Sequence, residues 1–236
     1  MKCDDLGDSG PKVWDRTWGS RQEIGLDLNT RVIFKNLSRE ISFRGKSILE
    51  LCSGSGRLSY LALRSGADRV TLVDFSEEAL RLARNLFRGM REVEFIKADI
   101  LNLSLPEKYD IVFSSGGVEH FKGKELSNAV GAHVKHSNGS VAIVVPSDLY
   151  FNRRRSVDPK NRELYGYWRP IPSGEMKALL EGQGVHVRTL RMFHVTYSIT
   201  LPRILQLARI EPVLYTLLEP LLASRFGGLL IAVGEV

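Results

Sequence analysis

Residues 48–56 of the chain read ILELCSGSG, an apolar run that ends in a turn of small residues. Apolar residues surround a single carboxylate, Glu50, and a turn made of serines and glycines follows them. A glycine-rich turn after a buried strand lets a ligand approach the backbone and meet the N–H groups of the next helix. The stretch therefore predicts a parallel strand with a ligand-binding turn, and it leaves phosphates, dinucleotides and adenosyl cofactors open as ligands.

Composition is that of an ordinary globular protein. The chain has 236 residues, of which 43% are hydrophobic and 25% charged, enough for one large α/β domain or two small ones. The polar N-terminus shows no apolar stretch of the kind found in secretory signals. Since Cys3 and Cys52 are the two cysteines, we expect no disulfide framework and no metal cluster, and we predict a cytoplasmic protein.

The net charge of +6 is partly concentrated in residues 151–163, FNRRRSVDPKNRE. The simplest interpretation of this segment is a solvated loop. An acidic substrate, weak contact with an anionic membrane surface, or contact with RNA would also use such a cluster of positive charge.

Strand and helix patterns alternate along most of the chain. Residues 20–38 have apolar residues at the spacing of an amphipathic helix. Helices are predicted over residues 57–65, 77–87 and 124–136, the second capped by Ser76. The predicted strands are SILELC, RVTLVD, EVEFIKAD, YDIVFSS and SVAIVVP. This alternation predicts an α/β fold with a doubly wound, mostly parallel sheet, whose ligands bind beyond the carboxyl ends of the strands.

Three carboxylates stand at those strand ends, Glu50, Asp74 and Asp99. An acid after the second strand can hold the two hydroxyls of a ribose. A nicotinamide cofactor would use the same acid, and Gly54, Gly56 and Ser59 approach its glycine spacing. However, a carboxylate as close as Glu50 repels a pyrophosphate and attracts an ammonium or sulfonium group. An NAD-dependent oxidoreductase is therefore the weaker alternative.

The successive segments ILELCSGSG, VTLVDFS, VEFIKADI and YDIVFSSGGVEHF resemble the motifs of class I S-adenosylmethionine-dependent methyltransferases. The resemblance covers residues 45–147 and implies a seven-stranded Rossmann-like sheet whose last strand is antiparallel. VHVRTLRMF and GGLLIAVGEV would supply its final two strands. It implies a methyltransferase domain over residues 45–236, after a helical extension over residues 1–44, with acceptor-side insertions at about 147–172 and 195–226.

The same resemblance assigns the cofactor, S-adenosylmethionine, to particular residues. Glu50, Gly54 and Gly56 would surround its methionine part together with Ser53, and Asp74 would bind the ribose hydroxyls. The adenine would lie against Phe75, near Asp99 and the Ile100 backbone, and the Ser115 backbone would meet the methionine amino group. Cys52 stands where the family usually has glycine, and we interpret it as a small buried residue beside the methionine part.

Peripheral residues are candidates for the acceptor side. His120 follows the fourth strand and is the candidate general base, with Glu119 a weaker one. Trp14 and Trp18 would close over the cofactor, with Arg21 placed for its carboxylate. Another aromatic group precedes a helix that Ser173 would cap, and it consists of Tyr165, Tyr167 and Trp168.

The leucine-rich insertion at 195–226 is predicted to cover the core, a second subunit of a homodimer, or a hydrophobic acceptor. The Asn- or Asp-Pro-Pro-aromatic tetrapeptide of adenine and amide methyltransferases is absent at residues 114–117, which read SSGG. The sequence therefore favours methyl transfer to a small-molecule, hydrophobic acceptor. An RNA-modifying methyltransferase and a cofactor-binding regulatory protein are the remaining alternatives.

Overall fold

The computed structural model describes residues 10–22, 24–198 and 211–236 of the chain. Cys3 and residues 199–210 of the predicted insertion lie outside these ranges. Of the described helices, none has both the length and the apolar character needed to cross a bilayer.

A seven-stranded sheet forms the centre of the fold. Its strands are β1 (Ser47–Leu51), β2 (Arg69–Asp74), β3 (Val93–Lys97), β4 (Tyr109–Ser115), β5 (Ser137–Pro146), β6 (His186–Phe193) and β7 (Leu229–Glu235). They lie in the order β3-β2-β1-β4-β5-β7-β6. Neighbours from β3 to β5 are parallel, whereas β7 pairs antiparallel with both β5 and β6. The predicted doubly wound sheet with an antiparallel last strand is confirmed.

Helices cover both faces of this sheet. They are α1 (Pro11–Gly19), α2 (Leu28–Glu40), α3 (Arg57–Arg64), α4 (Glu77–Leu86), α5 (Gly123–Lys135), α6 (Tyr150–Val157), α7 (Pro159–Tyr165), α8 (Ser173–Glu181) and α9 (Glu211–Phe226). Alternate side chains of each strand enter opposite apolar layers, so Ile48 packs with α2 and α3 while Leu49 packs with α5 and α8. Burial on both faces explains why the inner strands are nearly continuous apolar runs.

One helix start agrees with the prediction, and two differ from it. Ser76 caps α4 as predicted, because its Oγ accepts a hydrogen bond from the Ala79 N–H at 3.2 Å. The predicted helix over residues 20–38 instead begins at Leu28, since Asp27 caps it by accepting from the Thr30 N–H at 2.7 Å. Ser173 does not cap α8; Pro172 occupies the cap position and Ser173 is the first helical residue.

The basic segment 151–163 is not the predicted loop. It lies in two short helices, α6 and α7, which meet at Asp158. The Asp158 carboxylate accepts from the N–H groups of Lys160 and Asn161, and Pro159 takes the first position of α7. An aspartate followed by proline thus starts a helix within a stretch whose composition had suggested a loop.

Candidate functional site

A cavity of about 500 Å³ opens at the carboxyl ends of β1, β2 and β4. This is the place predicted for a ligand in a doubly wound sheet, and the volume suits a ligand of cofactor size. The structure brings most of the predicted cofactor residues together in its lining, namely Glu50, Cys52, Ser53, Gly54, Asp74, Phe75, Asp99, Ile100 and Ser115.

Glu50 lies at the bottom of this cavity. Its carboxyl group is buried, and Oε2 accepts a hydrogen bond from the Ser59 N–H of α3 at 3.2 Å. Burial raises the pKa of Glu50 to about 8, since the charged form loses its hydration, while the Ser59 hydrogen bond partly opposes this shift. A cationic ligand placed beside Glu50 would favour the ionised carboxylate. The attraction between the two opposite charges would also strengthen the binding of the ligand.

Asp74 joins the end of β2 to the glycine-rich turn. One carboxylate oxygen accepts from the Gly54 N–H at 2.7 Å and the other from the Ser76 N–H at 2.9 Å. Burial raises the pKa of Asp74 to about 6, although these backbone hydrogen bonds oppose the shift. Each oxygen keeps a second lone pair, so Asp74 can hold the turn and still accept from the hydroxyls of a ribose.

Gly54 and Gly56, the two glycines predicted to surround the cofactor, have different surroundings. Gly54 has φ +54° and faces the cavity, and a Cβ there would lie 2.7 Å from the Trp18 ring. Gly56 has φ +69°, but a Cβ there would lie 2.6 Å from Leu72 Cδ1 in the core. Among the described residues Gly56 lies outside the cavity lining, so its contribution is close packing of the turn on β2.

Cys52 has φ +52°, a left-handed conformation that glycine adopts easily and cysteine rarely. Its Sγ lies 2.9 Å from the point where a Cβ of Gly117 would be. Burial, reinforced by the nearby carboxylates, raises the pKa of the thiol well above its usual value. The side chain is therefore a neutral thiol that lines the cavity, and it is half-buried where the sequence interpretation expected a buried residue.

Helix α1 lies over the cavity and connects its two sides. The Ser76 hydroxyl donates to Asp15 Oδ1 at 2.6 Å on the α4 side. On the other side, Arg16 and Thr17 donate to backbone carbonyl oxygens at the end of α7, both at 2.5 Å. Trp14 and Trp18 of α1 line the cavity as predicted. Arg21, in contrast, lies outside the described lining, and its guanidinium is 5.0 Å from the centre of the Trp18 ring.

His120 lines the cavity beside Trp14, whose ring it meets edge-on at 4.9 Å. Its Nδ1 donates to the Tyr167 carbonyl oxygen at 2.7 Å. Burial lowers the pKa of His120 to about 4, so the imidazole is neutral near pH 7. A base with so low a pKa removes protons weakly, and the predicted role of His120 stays a prediction.

Glu119 is the neighbouring buried acid. Its side chain lines the cavity, and Oε2 has no hydrogen-bond partner within the part of the chain that the structure describes. Burial raises the pKa of Glu119 to about 8, and the N–H groups of Glu119 and Gly117 partly oppose this shift. The site thus contains a second carboxyl group that is protonated for much of the neutral pH range.

The far wall of the cavity was not predicted. It consists of Asn29, Thr30 and Ile33 from α2, together with Tyr197 and Leu229. The spacing of apolar residues predicts an apolar face for helix α2, yet nothing in that spacing indicates that the first turn of the helix reaches the site. Arg57, the first residue of α3, also lines the cavity and forms an ion pair with Asp27 at 2.6 Å.

The aromatic group of the 147–172 insertion lies beside the site and not in its lining. Trp168 is buried in the core, the Tyr165 ring lies 6.1 Å from Trp14, and Tyr167 holds His120 through its carbonyl oxygen. The described lining does not include these three side chains. Tyr165 and Tyr167 contact the lining residues Trp14 and His120, and contact of the aromatic group with an acceptor stays a prediction.

Known proteins match both the sequence and the fold. The methyltransferase-domain family matches residues 48–137. Ribosomal protein L11 methyltransferase of Dictyoglomus turgidum is 40% identical over 72 residues, 30% of this chain and 24% of that protein. Release factor glutamine methyltransferase of Streptococcus pneumoniae is 30% identical over 149 residues, 62% of this chain and 50% of that protein. The chain thus spans between a quarter and half of these curated relatives.

A solved structure of magnesium protoporphyrin IX methyltransferase from Synechocystis, with S-adenosylhomocysteine (SAH) bound, superposes with a TM-score of 0.61. It is 17% identical, and the match covers 98% of this chain and 96% of that one. At this identity the likeness shows the fold. Residues 48–137 are therefore a methyltransferase domain, within a chain that has the fold of the class I S-adenosylmethionine-dependent methyltransferases.

Proposed function

We propose that this chain transfers a methyl group from S-adenosylmethionine to a small-molecule acceptor with an apolar body. One observation supports the proposal above the others, namely that a single cavity joins the acids at the strand ends to an apolar wall. Val144, Pro146 and Leu229 contribute to that wall, together with Ile33 of α2. One compartment can thus receive a polar cofactor and a second, less polar molecule side by side.

The residues of the site fit this cofactor. S-adenosylmethionine supplies a methyl group on a positively charged sulfur. The described lining contains five carboxyl groups, on Glu50, Asp74, Asp99, Glu119 and Glu125, against one guanidinium, which is paired with Asp27. Glu50 and the glycine turn would hold the methionine part, Asp74 the ribose, and Phe75 with Asp99 the adenine. The surplus of carboxyl groups favours a cation over a pyrophosphate.

The acceptor side supports a small molecule better than a macromolecule. Helix α1 and the end of α7 lie over the cavity and are joined by hydrogen bonds, so a long chain would need to displace them. Residues 114–117 lack the Asn-Pro-Pro-aromatic pattern expected for an amide nitrogen acceptor, which counts against the activity named for the release factor relative. Alignment of the acceptor and the methyl group in a site without water would supply most of the rate.

Thermal unfolding with separate additions of SAH, S-adenosylmethionine and NAD tests the cofactor. A ligand present at ~100 times its Kd stabilises the folded state by about 2.7 kcal/mol, so we expect a clear rise in midpoint with both adenosyl compounds and none with NAD. The Asp74→Asn variant keeps the shape of the side chain and should lose most of the shift. A rise with NAD alone would replace this proposal by the oxidoreductase alternative.

A further inference from the structure

Glu119 has hydrogen-bonding capacity that the folded protein does not use. Its side chain is only 4% exposed, and Oε2 lacks any partner among residues 10–22, 24–198 and 211–236. A buried polar atom without a partner destabilises the folded state, so each such atom needs an explanation, and a ligand that supplies the partner is one. Because this carboxyl group lines the cavity, the missing partner would belong to a bound molecule.

The backbone holds Glu119 firmly in place. Residues Val118–His120 form one turn of 3-10 helix directly after β4, and the Glu119 carbonyl oxygen accepts from the Arg169 N–H at 3.1 Å. Gly116 has φ +78°, and a Cβ at that glycine would lie 3.7 Å from Glu119 Oε1. The carboxyl group therefore lies near the carboxyl end of β4, next to Gly116.

Glu119 is also better suited than His120 to accept a proton. The pKa of His120 is lowered to about 4, while that of Glu119 is raised to about 8, in both cases because burial disfavours the charged form. A general base is most effective when its pKa lies near the working pH.

The rest of the cavity lining restricts what Glu119 can bind. Ile33, Pro146 and Leu229 are apolar, and Asn29 Oδ1 is a second buried oxygen that lacks a partner among the described residues. In the described lining the only guanidinium, that of Arg57, is occupied by Asp27. Oxygen atoms without donors favour a molecule that brings its own O–H or N–H groups, and they disfavour an anion.

We propose that Glu119 binds the acceptor and takes its proton, and that the acceptor presents an O–H or N–H bond from an apolar body. This inference rests on the proposed function and adds the chemical class of the acceptor. In the balanced step the acceptor oxygen or nitrogen forms a bond to the methyl carbon as the methyl–sulfur bond breaks, and the O–H or N–H proton passes to Glu119 Oε2. The products are SAH, the methylated acceptor and a protonated Glu119.

Binding of three matched probes to the SAH-loaded protein tests the inference without knowledge of the natural acceptor. The probes are 4-butylphenol, 4-butylaniline and 4-butylanisole, which differ in whether they carry an O–H, N–H or methyl ether group. Above pH 8, where Glu119 is ionised and can only accept hydrogen bonds, we expect calorimetry to show the phenol and the aniline binding the parent protein at least tenfold more tightly than the ether. The Glu119→Met variant should lose this preference, and Glu181→Met, which replaces an exposed carboxyl group outside the cavity lining, should keep it.

Turnover and its pH profile separate binding from proton transfer. The Glu119→Gln variant can still form a hydrogen bond, so it should keep the binding preference while SAH production with phenol and aniline falls about 100-fold or more. The parent rate should rise with pH as Glu119 ionises, and the residual rate of Glu119→Gln should lose that rise.

Several outcomes would overturn the inference. These are equal binding of phenol and ether by the SAH-loaded parent, no binding of any probe, or a preference that survives in Glu119→Met. A Glu119→Met variant that lost SAH affinity tenfold would make Glu119 a cofactor residue instead. Failure of the parent itself to bind SAH is a different result, because it would contradict the proposed function.

Discussion

At the scale of single residues, the side chain of Cys52 restricts which residue can stand at position 117. Cys52 adopts φ +52° in the glycine turn, and its side chain fills the space next to the α-carbon of Gly117. Gly117 has φ −132° and ψ −57°, so a left-handed backbone is not what calls for glycine there, whereas the neighbouring thiol leaves no room for a side chain. A cysteine in the first turn thus requires a glycine in the fourth-strand loop.

This pairing predicts a rescue. Gly117→Ala places a methyl group 2.6 Å from Cys52 Cβ, and such overpacking should lower the free energy of unfolding by about 1–3 kcal/mol. The double variant with Cys52→Gly should recover most of that loss, as measured by urea unfolding in a double-mutant cycle. Gly174→Ala is the control, because a methyl group there meets no described atom within 4 Å. Strictly additive effects would contradict the pairing.

Glu50 shows how one buried carboxyl group links stability to pH. Its pKa is about 8 in the folded protein and near 4.5 when unfolded, so between these values the folded state holds more protons. Stability without ligand must then fall as pH rises through this range. Buried His120 and His133, with pKa values of about 4, act in the opposite direction, but only below their unfolded pKa of 6.5.

The window from pH 6.5 to pH 8 therefore isolates the carboxyl groups. Between these limits Glu50 should lower the free energy of unfolding by about 2 kcal/mol. The Glu50→Gln variant should lack this part of the decline. Chemical denaturation of the ligand-free protein at several pH values provides the measurement. Glu125→Gln changes an exposed carboxyl group of the same cavity and should leave the decline as it is. An unchanged decline in Glu50→Gln would place the titration elsewhere.

At the scale of elements, α1 and α2 complete a site that the sheet only begins. Asp27 caps α2 and also pairs with Arg57 of α3, which fixes the first turn of α2 next to the glycine turn. Asn29 and Thr30 thereby reach the cavity. Helix α1 is fixed differently, through hydrogen bonds to Ser76 on one side and to the end of α7 on the other.

Trp18 is the part of α1 that should slow ligand release. Its ring lies against Gly54, so truncation would open the cavity directly above the glycine turn. We expect Trp18→Ala to raise the dissociation rate of SAH about tenfold or more, as followed by stopped-flow fluorescence of the remaining tryptophans. Lys12→Ala, at an exposed position of the same helix, should release SAH at the parent rate. Equal rates in both variants would mean that α1 does not cover the bound ligand.

At the scale of the whole molecule, the central sheet was predictable because its signals are local. Strands buried on both faces are apolar runs, and acids such as Glu50 and Asp74 stand at their ends. The far wall of the cavity was not predictable in this way. Asn29 approaches the site only because α2 packs on α3, and the different environments of Gly54 and Gly56 depend on contacts with Trp18 and Leu72.

The position of β7 has a consequence for folding of the chain during its synthesis on the ribosome. β7 follows β6 in the chain, yet it lies between β5 and β6 and carries the pairing of both. Within the described sheet, a nascent chain that has emerged as far as β6 has no neighbour ready for that strand. The edge of β5 also stays open until β7 arrives, and unpaired strand edges invite aggregation. Synthesis that stalls between β6 and β7 would therefore leave β6 and the edge of β5 unpaired and favour aggregation.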